Sequence, residues 1–171
     1  MAQGKRGYAL EGMVEASNRT YENKGQALVH KVPTPWKVMY DRRTGRVKKA
    51  WPEEKGTVDF IGLAKGMPLA FDAKSTESKT SFPLKNIKPH QIHFLEQHEK
   101  QGGISFLLVE FVTLRQIYYF PFCFLKDFYE ESLQGGRKSI PYGFFVHHCQ
   151  KVISKHGVLL DYLAHTKKEE V

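Results

Sequence analysis

Cysteine is scarce in this chain. Cys123 and Cys149 are its only two among 171 residues, and neither stands in a CxxC pair. A disulfide framework is therefore excluded, and the two thiols read as buried or idle groups of a reducing compartment, with a single bridge between them as the alternative. Long hydrophobic runs are missing as well. The apolar stretches are short and interrupted by Glu110, Arg115 or glycine, and the opening MAQGKRGYALEG has no signal-like core. Neither export nor a membrane span is expected, which predicts a cytoplasmic protein. SKTSF and GGRKS lack the spacing of a phosphate-binding Walker loop, so an ATPase is not expected. His90, His93, His98, His147 and His148 form no HExxH or finger pattern, so zinc is not expected. No internal repeat is visible.

Acidic residues are the minority charge, 18 against 26 Lys and Arg, for a formal charge of +8. The excess is concentrated in residues 1–51, where 11 basic residues face 4 acidic ones. Such a surface attracts polyanions, nucleic acid first among them. With 41% hydrophobic residues, the length suits one domain over residues 1–171.

Hydrophobic spacing predicts a helix over residues 8–22, stopped by Gly25, then two extended pieces around Pro33 and Pro35. Residues 41–56 carry Arg42, Arg43, Arg46, Lys48 and Lys49 around Thr44-Gly45. They read as a projecting basic hairpin or loop that contacts DNA, the plain alternative being a solvated connection. GTVDFIG and PLAFDAKST read as strands joined by a turn at Gly66, and SKTSFPLKNI as a loop. Pro89 opens a helix that ends at Gly102-Gly103. ISFLLVEF reads as a central strand covered on both faces, with RQIYYFP its hairpin partner. FCFLKDFYEESL is a predicted helix, GGRKSIPYG a turn-rich basic loop, CQKVISKHGVLLDYLAHTK a broken helical region, and KKEEV a frayed tail. The run Tyr118, Tyr119, Phe120, Phe122 and Phe124 reads as core or interface.

The chemistry converges on Asp59, Asp72 and Lys74. Pairing of the two strands brings both carboxylates together, and the i, i+2 spacing puts Asp72 and Lys74 on one strand face. Hard carboxylate oxygens suit Mg²⁺, with Mn²⁺ as a substitute, and the Ala73 carbonyl is a further candidate oxygen. Lys74 then orients a water or offsets charge developing on a phosphate. A surface Asp–Lys pair is the plain alternative, but carboxylates on apolar strands are costly to bury without a partner. Glu11 and Glu15 share a helix face, and either is a candidate to point towards the metal. Gln91 stands in the first turn of the later helix, suited to hold a water or a phosphate. His30 and Lys31, before the PTP sequence, are candidate phosphate contacts, and Arg137 and Lys138 add basic charge later in the chain.

RGYALEGMVEASNRTY (6–21), HKVPTP (30–35), VDFIG (58–62), FDAKST (71–76), TSFPLKNI (80–87), HQIHFL (90–95) and GRKSIP (136–141) occur in an order that resembles the RecU-type Holliday junction resolvases. The resemblance implies an α/β, restriction-endonuclease-like fold of the PD-(D/E)xK nucleases: a central mixed β-sheet flanked by helices, with residues 41–56 as a basic stalk insertion entering the open junction centre. It implies a homodimer that nicks a four-way DNA junction at two symmetric positions, with Mg²⁺ or Mn²⁺ in each subunit. Asp59 and Asp72 would be metal ligands, joined by Glu11. Lys74 would be the motif lysine, and Gln91 the helix glutamine beside the centre. Asp72 is a departure, since close cellular members commonly carry Glu there. With the short leader before Arg6 and the divergent C-terminus, it reads as the mark of a compact or phage-encoded relative. Alternatives are a nuclease for other branched DNA and a non-catalytic junction-binding architectural protein. A recombinase partner is left open.

Overall fold

Two apolar strands set the centre of the structure, a computed structural model that describes residues 3–53 and 57–166, with side chains from residue 9 onward. β5 (Met67–Thr76) and β7 (Ile104–Phe111) run parallel, paired from Leu69↔Ile104 to Thr76↔Phe111. A parallel pair requires a crossover. It is supplied here by β6 (Ser81–Pro83), a 3₁₀ turn (Leu84–Asn86) and α2 (Pro89–Lys100). Antiparallel strands extend the pair outward: β4 (Phe60–Ala64) and β1 (Ala27–Lys31) on one side, β8 (Gln116–Pro121) and the short β10 (Gln150–Lys151) on the other. The result is the expected mixed sheet flanked by helices, six strands wide in the order β1-β4-β5-β7-β8-β10.

Strand alternation divides the core in two. Leu69, Phe71 and Ala73 of β5, with Phe106 and Leu108 of β7, pack beneath α1 (Gln3–Asn23) through Leu10, Val14 and Tyr21. The Phe71 ring stacks between Phe60 and Phe106, with centroids 5.0 and 4.5 Å away. On the opposite face Ala70, Leu107, Val109, Tyr118 and Phe120 meet α2, α3 (Phe122–Leu133) and α4 (Tyr142–His148) through Ile92, Leu95, Leu125 and Phe145. Of the aromatic run, Tyr118, Tyr119, Phe120 and Phe122 are buried and Phe124 is half-buried.

Three segments depart from expectation. Residues 149–166 hold no α-helix, only a 3₁₀ turn at Tyr162–His165. After β10 the chain turns tightly at His156-Gly157, where Lys155 bridges Val158, and buries Val152, Val158, Leu160 and Tyr162. Their even spacing is strand-like rather than helical. This segment clasps α1: the Leu160 N–H donates to Ser17 Oγ at 2.9 Å, Tyr162 Oη to Asn18 Oδ1 at 2.6 Å, and Tyr21 Oη to Asp161 Oδ1 at 2.9 Å. The tail KKEEV lies outside the described residues. Next, the two expected loops around residues 80–87 and 135–143 meet as a ribbon, β6 against β9 (Ser139–Pro141), with Phe82 opposite Ile140. Strands of three residues flanked by proline leave no periodic signal. Finally, the basic hairpin starts earlier than residue 41. β2 (Trp36–Tyr40) and β3 (Val47–Pro52) pair antiparallel, every residue of both is exposed, and residues 54–56 of the expected insertion lie outside the described chain.

Candidate active site

The site begins with a turn. Lys65 and Gly66 link β4 to β5 with φ of 50° and 81°, the two-residue, positive-φ connection that matches strand twist. It locks Phe60 opposite Phe71, so Asp59, just before β4, and Asp72, just after Phe71, come side by side. The Asp59 N–H donates to Asp72 Oδ1 at 2.7 Å. Lys74 follows on the same face of β5, its Nζ 3.5 Å from Asp59 Oδ2 and 3.6 Å from Asp72 Oδ2.

Asp72 is fully buried, and its Oδ2 accepts no hydrogen bond. Burial pushes its carboxyl up to about 7; the Lys74 ammonium pulls it back down, and the Asp59 carboxylate adds to the rise. An ionised acid here is poorly compensated by protein alone. Two adjacent carboxylates, one with an orphaned buried oxygen, fit a hard divalent cation such as Mg²⁺ or Mn²⁺. Among the described residues no three His, Cys, Asp or Glu side chains gather as a metal cluster. Asp59 and Asp72 would therefore supply the protein's share of the ligands, with water and substrate supplying the rest, as Mg²⁺ commonly requires.

Glu11, from α1, lines the same groove of about 740 Å³ as Asp59 and Lys74. Its Oε2 lies 2.7 Å from Lys31 Nζ, which also stands 3.5 Å from Glu15 Oε1. Glu11 is thus brought to the groove but engaged by a lysine, and Lys31 sits between two glutamates rather than out on the surface. These carboxylates hold the Lys31 ammonium above its usual range, Glu11 most strongly. Gln91 is buried; its Oε1 accepts the Lys88 N–H at 3.0 Å, capping the start of α2. It is not among the residues lining the groove.

Of the expected DNA contacts, Arg42, Arg43, Arg46, Lys48 and Lys49 are all exposed on the hairpin. Asp41 shapes the tip, its Oδ1 accepting the N–H groups of Arg43 and Thr44 at 2.9 Å each. These bonds hold the Asp41 carboxyl below its usual range. His30 is exposed on β1 opposite Ile61. Arg137 and Lys138 are both exposed, and the Lys138 ammonium donates to the Ser132 carbonyl at the end of α3.

Lys85, Asn86 and Lys88, which carry no role in the sequence analysis, line the same groove as Glu11, Asp59 and Lys74. A signal was present: in FPLKNIK the buried Phe82, Leu84 and Ile87 are interleaved with these polar residues.

With this geometry the chain falls among recombination proteins: the family model described as Recombination protein U matches residues 5–168. The chain belongs to the RecU family. It is 39% identical over 169 residues to the Holliday junction resolvase RecU of Oenococcus oeni, covering 96% of this chain and 86% of the relative. It is 42% identical over 142 residues to that of a Geobacillus strain, covering 81% and 71%. The RecU of Levilactobacillus brevis is 44% identical over 143 residues, covering 81% and 71%. Among the described residues no helix is long and apolar enough to cross a membrane.

Proposed function

We propose that this protein is an endodeoxyribonuclease that resolves four-way DNA junctions by paired, symmetric nicks. One observation carries the reading: a buried Asp72 with an orphaned oxygen, beside Asp59 and within reach of Lys74. Family membership supplies the substrate class. Mg²⁺ or Mn²⁺ would be held by Asp59 and Asp72, with Glu11 joining once it leaves Lys31. When bound, the ion supplies Lewis-acid charge and makes water a stronger nucleophile at neutral pH. Lys74 orients the attacking water and offsets charge on the phosphate. Gln91 is a positioning residue, acting through the helix start that it caps. The products carry 5′-phosphate and 3′-hydroxyl ends. We place the protein in the cytoplasm, as a phage-encoded member of the family, with a recombinase as the protein partner this reading allows.

Paired nicks call for two copies. Leu28, Ile61 and Leu63 are 48%, 43% and 49% exposed. They stand together on β1 and β4, on the sheet face opposite α1. A second copy of the chain is the occupant we assign to this apolar stripe, the homodimer bringing two centres to one junction. Leu63→Asp is expected to convert the dimer to monomer at micromolar concentration in sedimentation velocity. It should also convert paired nicks into isolated ones. A variant that stays dimeric and cuts in pairs removes this assignment.

The function is tested with a labelled synthetic four-way junction in Mg²⁺ or Mn²⁺, comparing the native protein with Asp72→Asn and the junction with linear duplex. Paired symmetric nicks on the junction alone, absent with the variant, are expected. Binding without cleavage by the native protein would instead assign an architectural role, and equal cutting of flaps, forks or duplex a broader nuclease.

A further inference from the structure

The lip of the groove formed by Lys85, Asn86 and Lys88 is unused by the chemistry just described. It is also built rather than incidental. Phe82, Leu84 and Ile87 are buried in the core beneath it, β6 is paired to β9, and the Leu84 N–H donates to the Lys138 carbonyl at 3.0 Å. The polar side chains between these anchors face the groove that holds Asp59 and Lys74.

Its two lysines form no ion pair of their own among the described residues. Among the described residues, Lys31, Lys37, Lys100 and Lys126 each have a glutamate within ion-pair distance, whereas Lys85 and Lys88 have no acidic partner. The groove lining also holds Glu11, Asp59 and Glu77, and its third lysine, Lys74, lies 3.5 and 3.6 Å from the Asp59 and Asp72 carboxylates, so Lys85 and Lys88 are the lining lysines left for an entering polyanion. Lys88 is placed against local preference as well. It is the N-cap of α2, where Ser, Thr, Asp or Asn is favoured and where a cation opposes the helix dipole. A residue that breaks local rules at a groove points to use by a ligand.

We propose that Lys85 and Lys88, assisted by the Asn86 amide, bind phosphates of the cleaved strand next to the one being attacked. They would hold that strand against the α2 side of the groove, away from Glu11 on the α1 side. This rests on the nuclease reading and adds to it the path of the substrate backbone. In that role the two lysines are positioning residues. They govern how the strand is seated, while Asp59, Asp72 and Lys74 meet the reacting phosphate.

The test is a Lys85→Ala/Lys88→Ala double variant of the full chain, with Lys85→Arg/Lys88→Arg as its conservative partner. Junction affinity is measured in Ca²⁺ across a salt series, and cleavage in Mg²⁺ under single turnover. Two lost phosphate contacts should lower the slope of log affinity against log salt by about 2, weakening binding on the order of 10-fold or more at 50 mM salt. The half-saturating protein concentration should rise while the cleavage rate at saturation changes little, and the arginine variant should recover the affinity. Unchanged affinity and slope would overturn the proposal. So would a loss that arginine does not restore, or one accompanied by a fall in melting temperature. A native protein that binds junctions but does not cut them defeats the nuclease reading alone, because the salt series still judges the lip.

Discussion

Asp72→Asn is expected to abolish junction cleavage and, in the same molecule, to raise the melting temperature of the metal-free protein. The loss of cleavage, on the order of 10³-fold or more, follows from removing an anionic ligand from the centre. The gain in stability follows from burial. Asp72 is fully enclosed and its carboxyl is pushed up to about 7. A carboxyl raised above its unfolded value binds its proton more tightly in the native state. Native protein therefore loses stability as pH rises from about 4 to about 7, and the penalty is constant above that. Asparagine never ionises, retains an oxygen for the Asp59 N–H, and escapes the penalty. At pH 8 the variant should melt about 5–10 °C above the native chain, the difference shrinking steadily below pH 7. Mg²⁺ or Mn²⁺ should raise the native melting temperature and leave the variant's nearly unchanged. Calorimetry at pH 5 and pH 8, with and without metal, checks every part. A variant less stable than native at pH 8 would mean that Asp72 is satisfied by the protein alone.

Replacing Arg42, Arg43 and Arg46 together by alanine should produce the largest loss of junction binding available without touching the groove. The hairpin carries six Lys and Arg between residues 36 and 52 against Asp41 alone. Asp41 is occupied in bracing the turn through the Arg43 and Thr44 N–H groups, so the basic tip is presented in a fixed shape. Three lost phosphate contacts predict a salt slope lower by roughly 2–3 and junction affinity lower on the order of 10²-fold at 50 mM salt. On the expectation that the hairpin enters an open junction centre, binding to linear duplex, which offers none, should fall much less. Fluorescence anisotropy with both DNAs over a salt series measures this. Equal losses on the two substrates would make the hairpin a general basic surface.

The parts of the site that were readable from sequence lie on local, regular structure. Asp59, Asp72 and Lys74 sit on a two-residue hairpin whose strands alternate and whose turn glycine is explicit, so pairing follows from pattern. α3 begins at Phe122 directly after Pro121, another local rule. What escaped depends on contacts between distant segments. Lys31 reads as an exposed strand-end cation, yet it lies against Glu11 and Glu15 of α1. Lys138 reads as part of a basic loop, yet β9 pairing turns its ammonium towards Ser132. The segment after β10 turns back on itself through a single bridge, Lys155 to Val158, too short to leave a periodic signal. Gln91 was read for water or phosphate, while its Oε1 is bonded within its own helix start.

The clasp between α1 and residues 160–163 sets an order of events during biosynthesis. The helix that carries Glu11 leaves the ribosome before the sheet, whereas the backbone and hydroxyl groups that grip Ser17, Asn18 and Tyr21 emerge after all six of its strands. Until they do, the α1 face of the groove lacks its fastening. A nascent chain tethered before residue 160 would therefore display Asp59, Asp72 and Lys74 on a completed sheet whose α1 wall is not yet fastened.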